Sequence, residues 1–398
     1  MSNISVGHTN LHQHREQFPA LGNKIYFNYG GQGPMAQRAM NAITQAQADL
    51  QEVGPFGYEA FAQVTTAKDS VKGAISSLLQ VAPETISLTE NVTMGCNIAM
   101  WGIHWRAGDH ILLSDCEHPG VIATSQEIAR RFSVEVTICP LKETLNEGNP
   151  VAVVAQHLRA NTRLVILSHV FWNTGQVLPL EKIVDLCRAN GSLILVDAAQ
   201  SVGLLPLNLT QLGVDFYAFT GHKWLCGPGG VGGLYVRPEV KEYLQPTFIG
   251  LRGLVVDSKA QPVSWQPDGR KYEVSTSAIP LYVGLTEAIA IHQQWGNSQQ
   301  RYQQICRKSE YLWCQLATLP NIQCLGTSPP ASGIVSFQLA EKKSGVHLQL
   351  VQFLESQKIL TRTIADPDCI RATVHYLTLE SEIDKLIESI ETFTQLFF

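Results

Sequence analysis

The chain has 398 residues, of which 45% are hydrophobic and 16% are charged, and its formal net charge is −5. This length is too great for one ordinary hydrophobic core, so we expect about two domains. Because the lysine and arginine residues are scattered, the sequence shows no electrostatic footprint for nucleic acid or an anionic membrane, and a small-molecule substrate is expected.

Helical and strand-like segments alternate from about residue 36 onward. Helices are expected near 36–52 and 59–80. Short apolar strands are predicted at 86–88, 110–115, 134–140, 163–170, 192–199, 215–220 and 231–236. Because their apolar runs are continuous, these strands should be buried on both faces of a mostly parallel sheet covered by helices. The pattern predicts an α/β architecture.

The character of the sequence changes after about residue 250. A polar, irregular stretch is followed by a long helical region around 281–318 and then by a strand, helix, strand, helix series. We expect a large α/β domain of residues 28–262. A smaller α+β domain would combine residues 1–27 with residues 263–398.

Nine cysteines, an odd number without a C-x-x-C pair, fit neither a disulfide framework nor a zinc site, so they should be reduced thiols. The N-terminus, MSNISVGHTNLHQHREQF, lacks an apolar signal-peptide core. No stretch reaches the roughly 18 apolar residues that a membrane span needs. These features predict a cytoplasmic protein.

Two ionisable residues follow predicted strands in the segment from Leu193 to Val236. One strand ends at Asp197, and the next is followed by Lys223 and the glycine-rich run GPGGVGG. Since ligands of open α/β sheets bind outside the carboxyl ends of the strands, Asp197 and Lys223 should share one crevice. A structural ion pair is the alternative for these two residues. The glycines fit neither a dinucleotide fingerprint nor a P-loop, because they follow a lysine and lead into a strand.

The run TGHKWLCGPGGVGGLYV resembles the S-x-H-K-x-x-G-P-x-G-x-G-x-L-Y-V signature of class V aminotransferase-like enzymes, the cysteine desulfurase group of fold-type I pyridoxal-phosphate proteins. Further segments resemble motifs of the same family, and in chain order they are IYFNYGGQGP, TENVT, CEHPG, VDAAQSVG, YEVST and IRATVHYLT. The resemblance extends over most of the chain. It implies a large domain with a mostly parallel seven-stranded sheet, and pyridoxal 5′-phosphate as cofactor.

The resemblance also implies roles for four residues around the cofactor ring. Lys223 would hold the cofactor as a Schiff base and, once displaced by the substrate amine, remove the Cα proton. Asp197 would keep the pyridine nitrogen protonated. Gln200 would donate to the phenolate oxygen, and His118 would stack on the ring. By spacing alone, a histidine before Pro-Gly is more often a turn residue.

A turn before an apolar helical run is expected to hold the cofactor phosphate, because amides and the helix dipole converge there. The expected contacts are Asn91, Val92, Thr93 and Met94. An ordinary helix cap uses the same amides, so both interpretations can hold. Thr220 and His222 would add side-chain contacts. Thr276 matches the family threonine that reaches the phosphate of the partner subunit, which implies a homodimer with a shared active site.

The substrate carboxylate is expected to bind an arginine, which offers a bidentate contact. Arg371 matches the family arginine, and Arg362 would bind a second carboxylate or the same one. For either residue, a surface ion pair is the alternative. Trp172 occupies the position of a common family asparagine, with Asn173 one residue later, and both are expected at the substrate site. Gly31, in the first motif, completes that site.

The sequence departs from the desulfurases in one loop. Those enzymes carry a nucleophilic cysteine just before the R-A-S strand, but here only TIADPDC lies between Arg362 and Ile370. Cys369 is the single thiol in this loop, and its place beside an apolar strand residue predicts a packed side chain. The shortened loop makes persulfide transfer through a protein thiol unexpected, and within the family the sequence most resembles the cyanobacterial cysteine and cystine C–S lyases.

The expected reaction is therefore β-elimination of cystine or cysteine, giving pyruvate, ammonia and either sulfide or cysteine persulfide. By resemblance, the persulfide sulfur would serve an iron–sulfur acceptor protein. The rival activities are a desulfurase that uses Cys369 and forms alanine, and a class V transaminase or epimerase. A catalytically silent sulfur carrier or scaffold with the same fold is the non-enzymatic alternative.

Overall fold

The computed structural model describes residues 10–340 and 343–397. Residues 1–9, which are predicted to belong to the smaller domain, lie outside the described part. The α-helices in this part are α1 (Leu11–Arg15), α2 (Gln37–Glu52), α3 (Tyr58–Leu79), α4 (Val92–Gly102), α5 (Pro119–Phe132), α6 (Pro150–His157), α7 (Leu180–Asn190), α8 (Leu209–Leu212), α9 (Ile279–Trp295), α10 (Ser298–Ala317), α11 (Val346–Ser356) and α12 (Glu380–Phe397). The β-strands are β1 (Ile25–Tyr26), β2 (Ile86–Thr89), β3 (His110–Ser114), β4 (Glu135–Cys139), β5 (Thr162–Ser168), β6 (Leu193–Asp197), β7 (Phe216–Thr220), β8 (Gly232–Val236), β9 (Leu254–Val256), β10 (Pro262–Trp265), β11 (Ile322–Cys324), β12 (Ile334–Leu339), β13 (Ile359–Leu360), β14 (Arg362–Ala365) and β15 (Asp368–Thr373).

The predicted strands form one seven-stranded sheet in the order β2-β8-β7-β6-β5-β3-β4. Strand β8 runs antiparallel to both of its neighbours, and the other adjacent pairs are parallel. Along β5, Leu164 and Ile166 pack into one hydrophobic cluster while Val165 and Leu167 pack into another. Because successive side chains of a strand point to opposite faces, both faces of the sheet are buried. The predicted α/β architecture and mostly parallel sheet are confirmed.

A second sheet, with the order β11-β12-β15-β14 and antiparallel pairing throughout, follows in the last quarter of the chain. Its strands share a hydrophobic cluster with α10, α11 and α12. Strand β1 pairs in parallel with β13, which brings a segment near the N-terminus to this region. The division into residues 28–262 and residues 1–27 with 263–398 stays a prediction.

Two details differ from the sequence-based expectation. The helical region around 281–318 is two helices, α9 and α10, because Gly296 ends the first and Asn297 caps the second in a capping box with Gln300. The polar stretch after residue 250 contains the small antiparallel hairpin β9–β10. None of the helices within residues 10–340 and 343–397 combines the length and the hydrophobicity that crossing a membrane requires.

Candidate active site

A cavity of about 430 Å³ opens where the strands of the seven-stranded sheet end. The carboxyl ends of parallel strands lie at the same edge of a sheet, and Asp197 lies at this edge because it is the last residue of β6. The residues predicted from the sequence that line this cavity are Gly31, Asn91, Val92, Thr93, His118, Trp172, Asp197, Gln200, His222, Lys223, Arg362 and Arg371. The expected crevice is therefore present.

Asp197 and Lys223 both line the cavity without forming an ion pair with each other in the described part of the chain. Asp197 is 5% exposed, and its Oδ1 accepts a hydrogen bond from the Ala199 amide at 2.9 Å. Burial raises the pKa of this carboxyl, although the Ala199 amide and the charge of Lys223 lower it in part. The alternative, a structural ion pair between Asp197 and Lys223, is therefore not supported by the described contacts.

Lys223 follows β7 by three residues and lines the cavity, where its side chain is largely enclosed by protein. Burial lowers the pKa of its amine to about 8, Asp197 opposes that shift, and the nearby arginines Arg371 and Arg362 lower the pKa further. A lysine amine with this pKa is neutral far more often near neutral pH than an exposed one. It is thus better suited to act as a nucleophile and as a base.

His118 caps the N-terminus of α5, where its Nδ1 accepts a hydrogen bond from the Gly120 amide at 3.2 Å. The turn interpretation of this histidine is therefore correct, and the ring nevertheless lines the cavity. Its centroid lies 6.2 Å from that of Trp172, with the two planes at 63°. Burial lowers the pKa of His118, which favours the neutral imidazole.

The turn after β2 forms the expected anion cradle at the start of α4. The Asn91 side chain caps this helix by accepting a hydrogen bond from the Met94 amide at 2.9 Å. The Met94 amide is therefore already used, and the prediction that it contacts a phosphate is corrected. The amides of Val92 and Thr93 belong to the first helical turn, where backbone donors lack intrahelical partners. They line the cavity and remain suited to bind an anion.

Thr220 and His222 stand beside this cradle. Thr220 is the last residue of β7, and its Oγ1 lies 2.7 Å from Nδ1 of His222. Thr220 itself does not line the cavity, whereas His222 does. The hydrogen bond fixes the orientation of the imidazole, so Thr220 acts on the site through His222.

Gln200 is held on both sides of its amide. Its Nε2 donates to the carbonyl oxygen of Gly30 at 2.9 Å, and its Oε1 accepts from Nε1 of Trp224 at 2.8 Å. One hydrogen of Nε2 stays available to a ligand. A Cβ atom at Gly30 would lie 3.2 Å from Oε1 of Gln200 and 3.3 Å from Cζ of Arg371. The glycine therefore lets these two side chains approach the backbone.

Arg371 is a buried cation without a carboxylate partner among the described residues. It is 1% exposed, its Nη1 donates to the Trp172 carbonyl at 2.7 Å, and its Nε has no hydrogen-bond partner. Burial, and then the charge of Arg362, lowers the pKa of Arg371 to about 9. Such a group is costly unless a ligand compensates it. The guanidinium is thus placed to bind an anion from the cavity.

Arg362 lies directly opposite Arg371 in the antiparallel pair β14–β15. It is exposed, but it also lines the cavity. In the residues that the structure describes, neither arginine forms an ion pair with a protein carboxylate. The alternative of a surface ion pair is therefore wrong for both.

The two residues after Phe171 have different surroundings. Trp172 lines the cavity, and its buried indole Nε1 has no hydrogen-bond partner. Asn173 does not line the cavity, because its Nδ2 donates to the Asp366 carbonyl at 3.1 Å and its Oδ1 accepts from the Thr174 amide. The expectation that Asn173 contacts the substrate is corrected: it anchors the turn between β14 and β15.

Thr276 and Met94 line a separate cavity of about 470 Å³. Thr276 has a φ of 58°, an unusual backbone conformation for a threonine. Because it lies outside the cavity that contains Lys223, Thr276 does not reach the active site of its own chain.

Sequence reasoning missed Glu117 and Ser168. Glu117 is 3% exposed, and it accepts hydrogen bonds from Ser114 Oγ at 2.5 Å and from the amide and hydroxyl of Ser168 at 2.9 and 2.7 Å. Burial raises the pKa of this carboxyl to about 7. Ser168 lines the cavity and pairs with Asp197 between β5 and β6. The signal available in the sequence was their place near strand ends, because Ser168 is the last residue of β5 and Glu117 follows β3 by three residues.

The cysteines are free thiols in the described residues, as predicted. Cys369 is 0% exposed within β15, and burial raises the pKa of its thiol to about 12. The prediction of a packed strand cysteine is confirmed. Cys116 and Cys226, near His118 and Lys223 in sequence, are also buried, and burial raises the pKa of each thiol. None of the described residues that line the cavity is a cysteine.

The site has the donor set that pyridoxal phosphate requires. Free amides at a helix N-terminus suit the phosphate, an unpaired buried carboxylate suits the ring nitrogen, and a buried amine suits the aldehyde. Together with the sheet, this arrangement defines a fold-type I pyridoxal-phosphate enzyme. The chain belongs to the aminotransferase class-V family, whose model matches residues 25–384.

Solved structures and curated relatives agree with this assignment. The cystine C–S lyase C-DES, in complex with its reaction product cysteine persulfide, is 49% identical, with a TM-score of 0.91 and coverage of 94% of this chain and 98% of C-DES. A C-DES mutant with glycine covalently linked to its pyridoxal-phosphate cofactor is 48% identical, with a TM-score of 0.92 and the same coverage of 94% and 98%. A probable cysteine desulfurase of Mycolicibacterium paratuberculosis is 28% identical over 85% of this chain. This chain spans about half, 49%, of that relative's length.

Proposed function

We propose that this chain is a pyridoxal-phosphate-dependent C–S lyase that cleaves cystine by β-elimination, with cysteine as a second substrate. The single observation that carries the proposal is the absence of a cysteine from the described lining of a cavity that contains Lys223 and Asp197. A desulfurase needs a thiol that can reach the substrate sulfur, whereas an elimination needs only a base. The similarity to C-DES supports cystine as the substrate.

The cofactor would be held by residues on every side of the cavity. Lys223 would bind its aldehyde carbon, and Asp197 would pair with its ring nitrogen. The amides of Val92 and Thr93 would bind its phosphate, with the side chains of Asn91, Thr220 and His222 nearby. Gln200 would donate its free hydrogen to the phenolate oxygen, and His118 would lie against the ring. When bound, pyridoxal phosphate supplies a conjugated ring that accepts the electron pair left at Cα.

Two residues of the chain would then act on the substrate itself. Arg371 has an unused Nε and no carboxylate partner among the described residues, so it would bind the α-carboxylate. Lys223, released when the substrate amine takes its place, would remove the Cα proton with an amine whose pKa is about 8. The neutral form that this low pKa provides is the form that accepts a proton.

The overall reaction balances without a protein thiol. Cystine and one water give pyruvate, ammonia and cysteine persulfide, as one Cβ–S bond breaks and the sulfur leaves with the second half of the molecule. Persulfide is a better leaving group than sulfide, which favours cystine over cysteine. Arg362, exposed at the cavity mouth beside Arg371, would bind the second carboxylate of cystine.

We further propose a homodimer in which Thr276 completes the partner's site. Its position outside the cavity of its own chain supports this arrangement. The persulfide product would supply sulfane sulfur to an iron–sulfur acceptor protein. The free thiols of the described residues suit a reducing compartment, so we propose that the enzyme works in the cytoplasm.

The test is a product analysis that compares the wild type with Cys369→Ala, a variant without a thiol in the hairpin of β14 and β15. Enzyme reconstituted with pyridoxal phosphate is given L-cystine and, separately, L-cysteine, and pyruvate, alanine and total released sulfur are measured. The wild type and Cys369→Ala should form pyruvate from cystine at the same rate. Cys116→Ala, which removes another buried thiol, serves as the matched control.

Alanine as the main product, or dependence on Cys369, would contradict the lyase and support a desulfurase. Racemised substrate without released sulfur would support an epimerase. Conversion only after addition of an amino-group acceptor would support a transaminase.

A further inference from the structure

Two buried histidines contact the backbone immediately after Lys223. His292, in α9, has its Nε2 2.8 Å from the carbonyl oxygen of Leu225. His375, just after β15, has its Nε2 3.2 Å from the carbonyl oxygen of Trp224. The two histidines are 3% and 1% exposed, and neither lines the active-site cavity. The chemistry described above gives them no role.

The contacts determine which nitrogen of each ring carries the proton. A carbonyl oxygen only accepts hydrogen bonds, so Nε2 of both histidines must be the donor. In a neutral imidazole, Nδ1 is then an acceptor. Nδ1 of His292 lies 2.7 Å from the hydroxyl of Tyr376, which can donate to it, and Nδ1 of His375 lies 3.5 Å from the amide of Leu377. Both rings are satisfied as neutral groups.

The same direction of hydrogen bonds continues to the start of the described chain. The Tyr376 oxygen accepts from Nε2 of His14 at 3.1 Å, and Nδ1 of His14 accepts from the side-chain Nε2 of Gln17 at 3.1 Å. Burial, with Arg301 nearby, lowers the pKa of His292 to about 3, and burial, with Arg38 nearby, lowers the pKa of His14 to about 4. The chain of groups therefore stays neutral at ordinary pH.

The turn that carries Lys223 is restrained elsewhere as well. The Gly33 amide donates to the carbonyl of His222 at 2.7 Å, and the Trp224 indole donates to Gln200 at 2.8 Å. Distant parts of the chain thus hold the carbonyls on both sides of Lys223. The backbone of Lys223 is therefore restrained on both sides.

We propose that His292 and His375 are positioning residues for Lys223, a role that rests on the proposed function of that lysine. By holding the carbonyls of Leu225 and Trp224, they keep the amine in its place beside Asp197 and in reach of the substrate. Tyr376 and His14 keep His292 in the donor tautomer. Small displacements of a reacting group reduce rates strongly, which makes such restraint valuable.

The experiment compares two amides at each histidine in the holoenzyme. In His292→Gln and His375→Gln, the side-chain nitrogen reaches the position of Nε2 and can still donate to the carbonyl. In His292→Asn and His375→Asn, the nitrogen reaches only the position of Nδ1. The readouts are kcat, KM, and the pH midpoint of the visible absorbance of the substrate-free holoenzyme, which reports protonation of the Lys223 nitrogen.

We expect the Asn variants to lose about tenfold in kcat, with KM changed less than about twofold. The absorbance midpoint should shift by about half a unit or more, because a loosened turn moves the nitrogen relative to the buried and charged groups that set its protonation. The Gln variants should recover most of both properties. His110→Asn is the matched control, since His110 is equally buried but lies at the start of β3 beside Thr162, away from the cavity at the carboxyl ends of the strands.

A loss of thermal stability in the Asn variants, with kcat and midpoint unchanged as in His110→Asn, would show that the histidines are structural only. If an Asn variant does not fold, Tyr376→Phe removes the link between His292 and His14 and keeps both imidazoles. Tyr376→Phe should shift the absorbance midpoint in the same direction as the Asn variants, but by a smaller amount. An unchanged midpoint would overturn the proposal. If the wild type forms no pyruvate, the lyase assignment fails, while the midpoint still tests the positioning.

Discussion

The carboxyl edge of the seven-stranded sheet and the β14–β15 hairpin meet at one cavity but contribute different chemistry. The sheet edge provides Asp197 and, just beyond β7, Lys223, on backbone fixed by buried strands. The hairpin provides Arg371 and Arg362, which face each other across two strands. The sheet edge is thus suited to hold a cofactor, and the hairpin to bind a substrate.

The hairpin also determines what can happen to sulfur. Ala365 pairs with Asp368, so only two residues separate β14 from β15, and Asn173 and Lys142 bind the turn at Asp366. Between these two strands, the described residues leave no segment that could carry a mobile thiol. The difference between the two regions teaches that holding the cofactor and accepting sulfur would depend on different parts of the fold.

The largest effect should come from the sheet edge. Lys223→Ala removes the amine that binds the cofactor and moves the proton, so pyruvate formation from cystine should fall by about 10³-fold or more. Circular dichroism should show an intact fold. Substantial turnover by this variant would mean that another base operates in the cavity and would break the division of roles between the two regions.

The hairpin should show a smaller and different effect. Arg371→Lys keeps the charge but loses the bidentate fork, which costs about 1.5–3 kcal/mol, so KM for cystine should rise by about 10- to 100-fold with a smaller change in kcat. Arg362→Lys, at an exposed position, should raise KM less than about fivefold. Its effect should be larger for cystine than for cysteine, and equal effects would argue against a second carboxylate contact.

The pH dependence of cofactor binding to the cofactor-free protein tests whether the amine of Lys223 has a lowered pKa. The neutral form of Lys223 reacts with the cofactor aldehyde, and burial lowers its pKa to about 8. Reconstitution of the cofactor-free protein, followed by absorbance, should accelerate as pH rises toward 8 and then level off. Asp197→Asn removes the charge that opposes this shift, so the midpoint should move to lower pH. A midpoint near that of ordinary lysine would contradict the buried amine.

The smallest expected effect is at the hairpin thiol. Cys369→Ser should leave pyruvate formation within about twofold of the wild type, because the buried thiol does not take part. Placing a hydroxyl at this packed position should still lower the free energy of unfolding by about 1–3 kcal/mol in urea denaturation. A large loss of activity without a loss of stability would restore a chemical role for the thiol.

The sequence predicted the sheet well because continuous apolar runs have few alternatives to a buried strand. It also predicted that Lys223, Asp197 and Arg371 lie at one site, and all three line the same cavity; their roles stay a prediction. Other features could not be found this way. The contacts of Glu117 with Ser168, of Asn173 with Asp366, and of His292 and His375 with the backbone after Lys223 all join residues far apart in sequence, so no local spacing encodes them. The boundary between α9 and α10 was readable, since Asn297 and Gln300 have capping-box spacing.

The burial of the thiols has a consequence for an enzyme that releases a persulfide. Such a product sulfurates accessible thiolates, and the catalyst is the first protein that it meets. Cys116, Cys226 and Cys369 are the cysteines nearest the catalytic residues in sequence, and all three are buried with a raised thiol pKa. Thiols kept protonated and enclosed are poor nucleophiles. Burial therefore shields these three thiols, although not the exposed Cys314, from a persulfide product that the proposed reaction would release beside them.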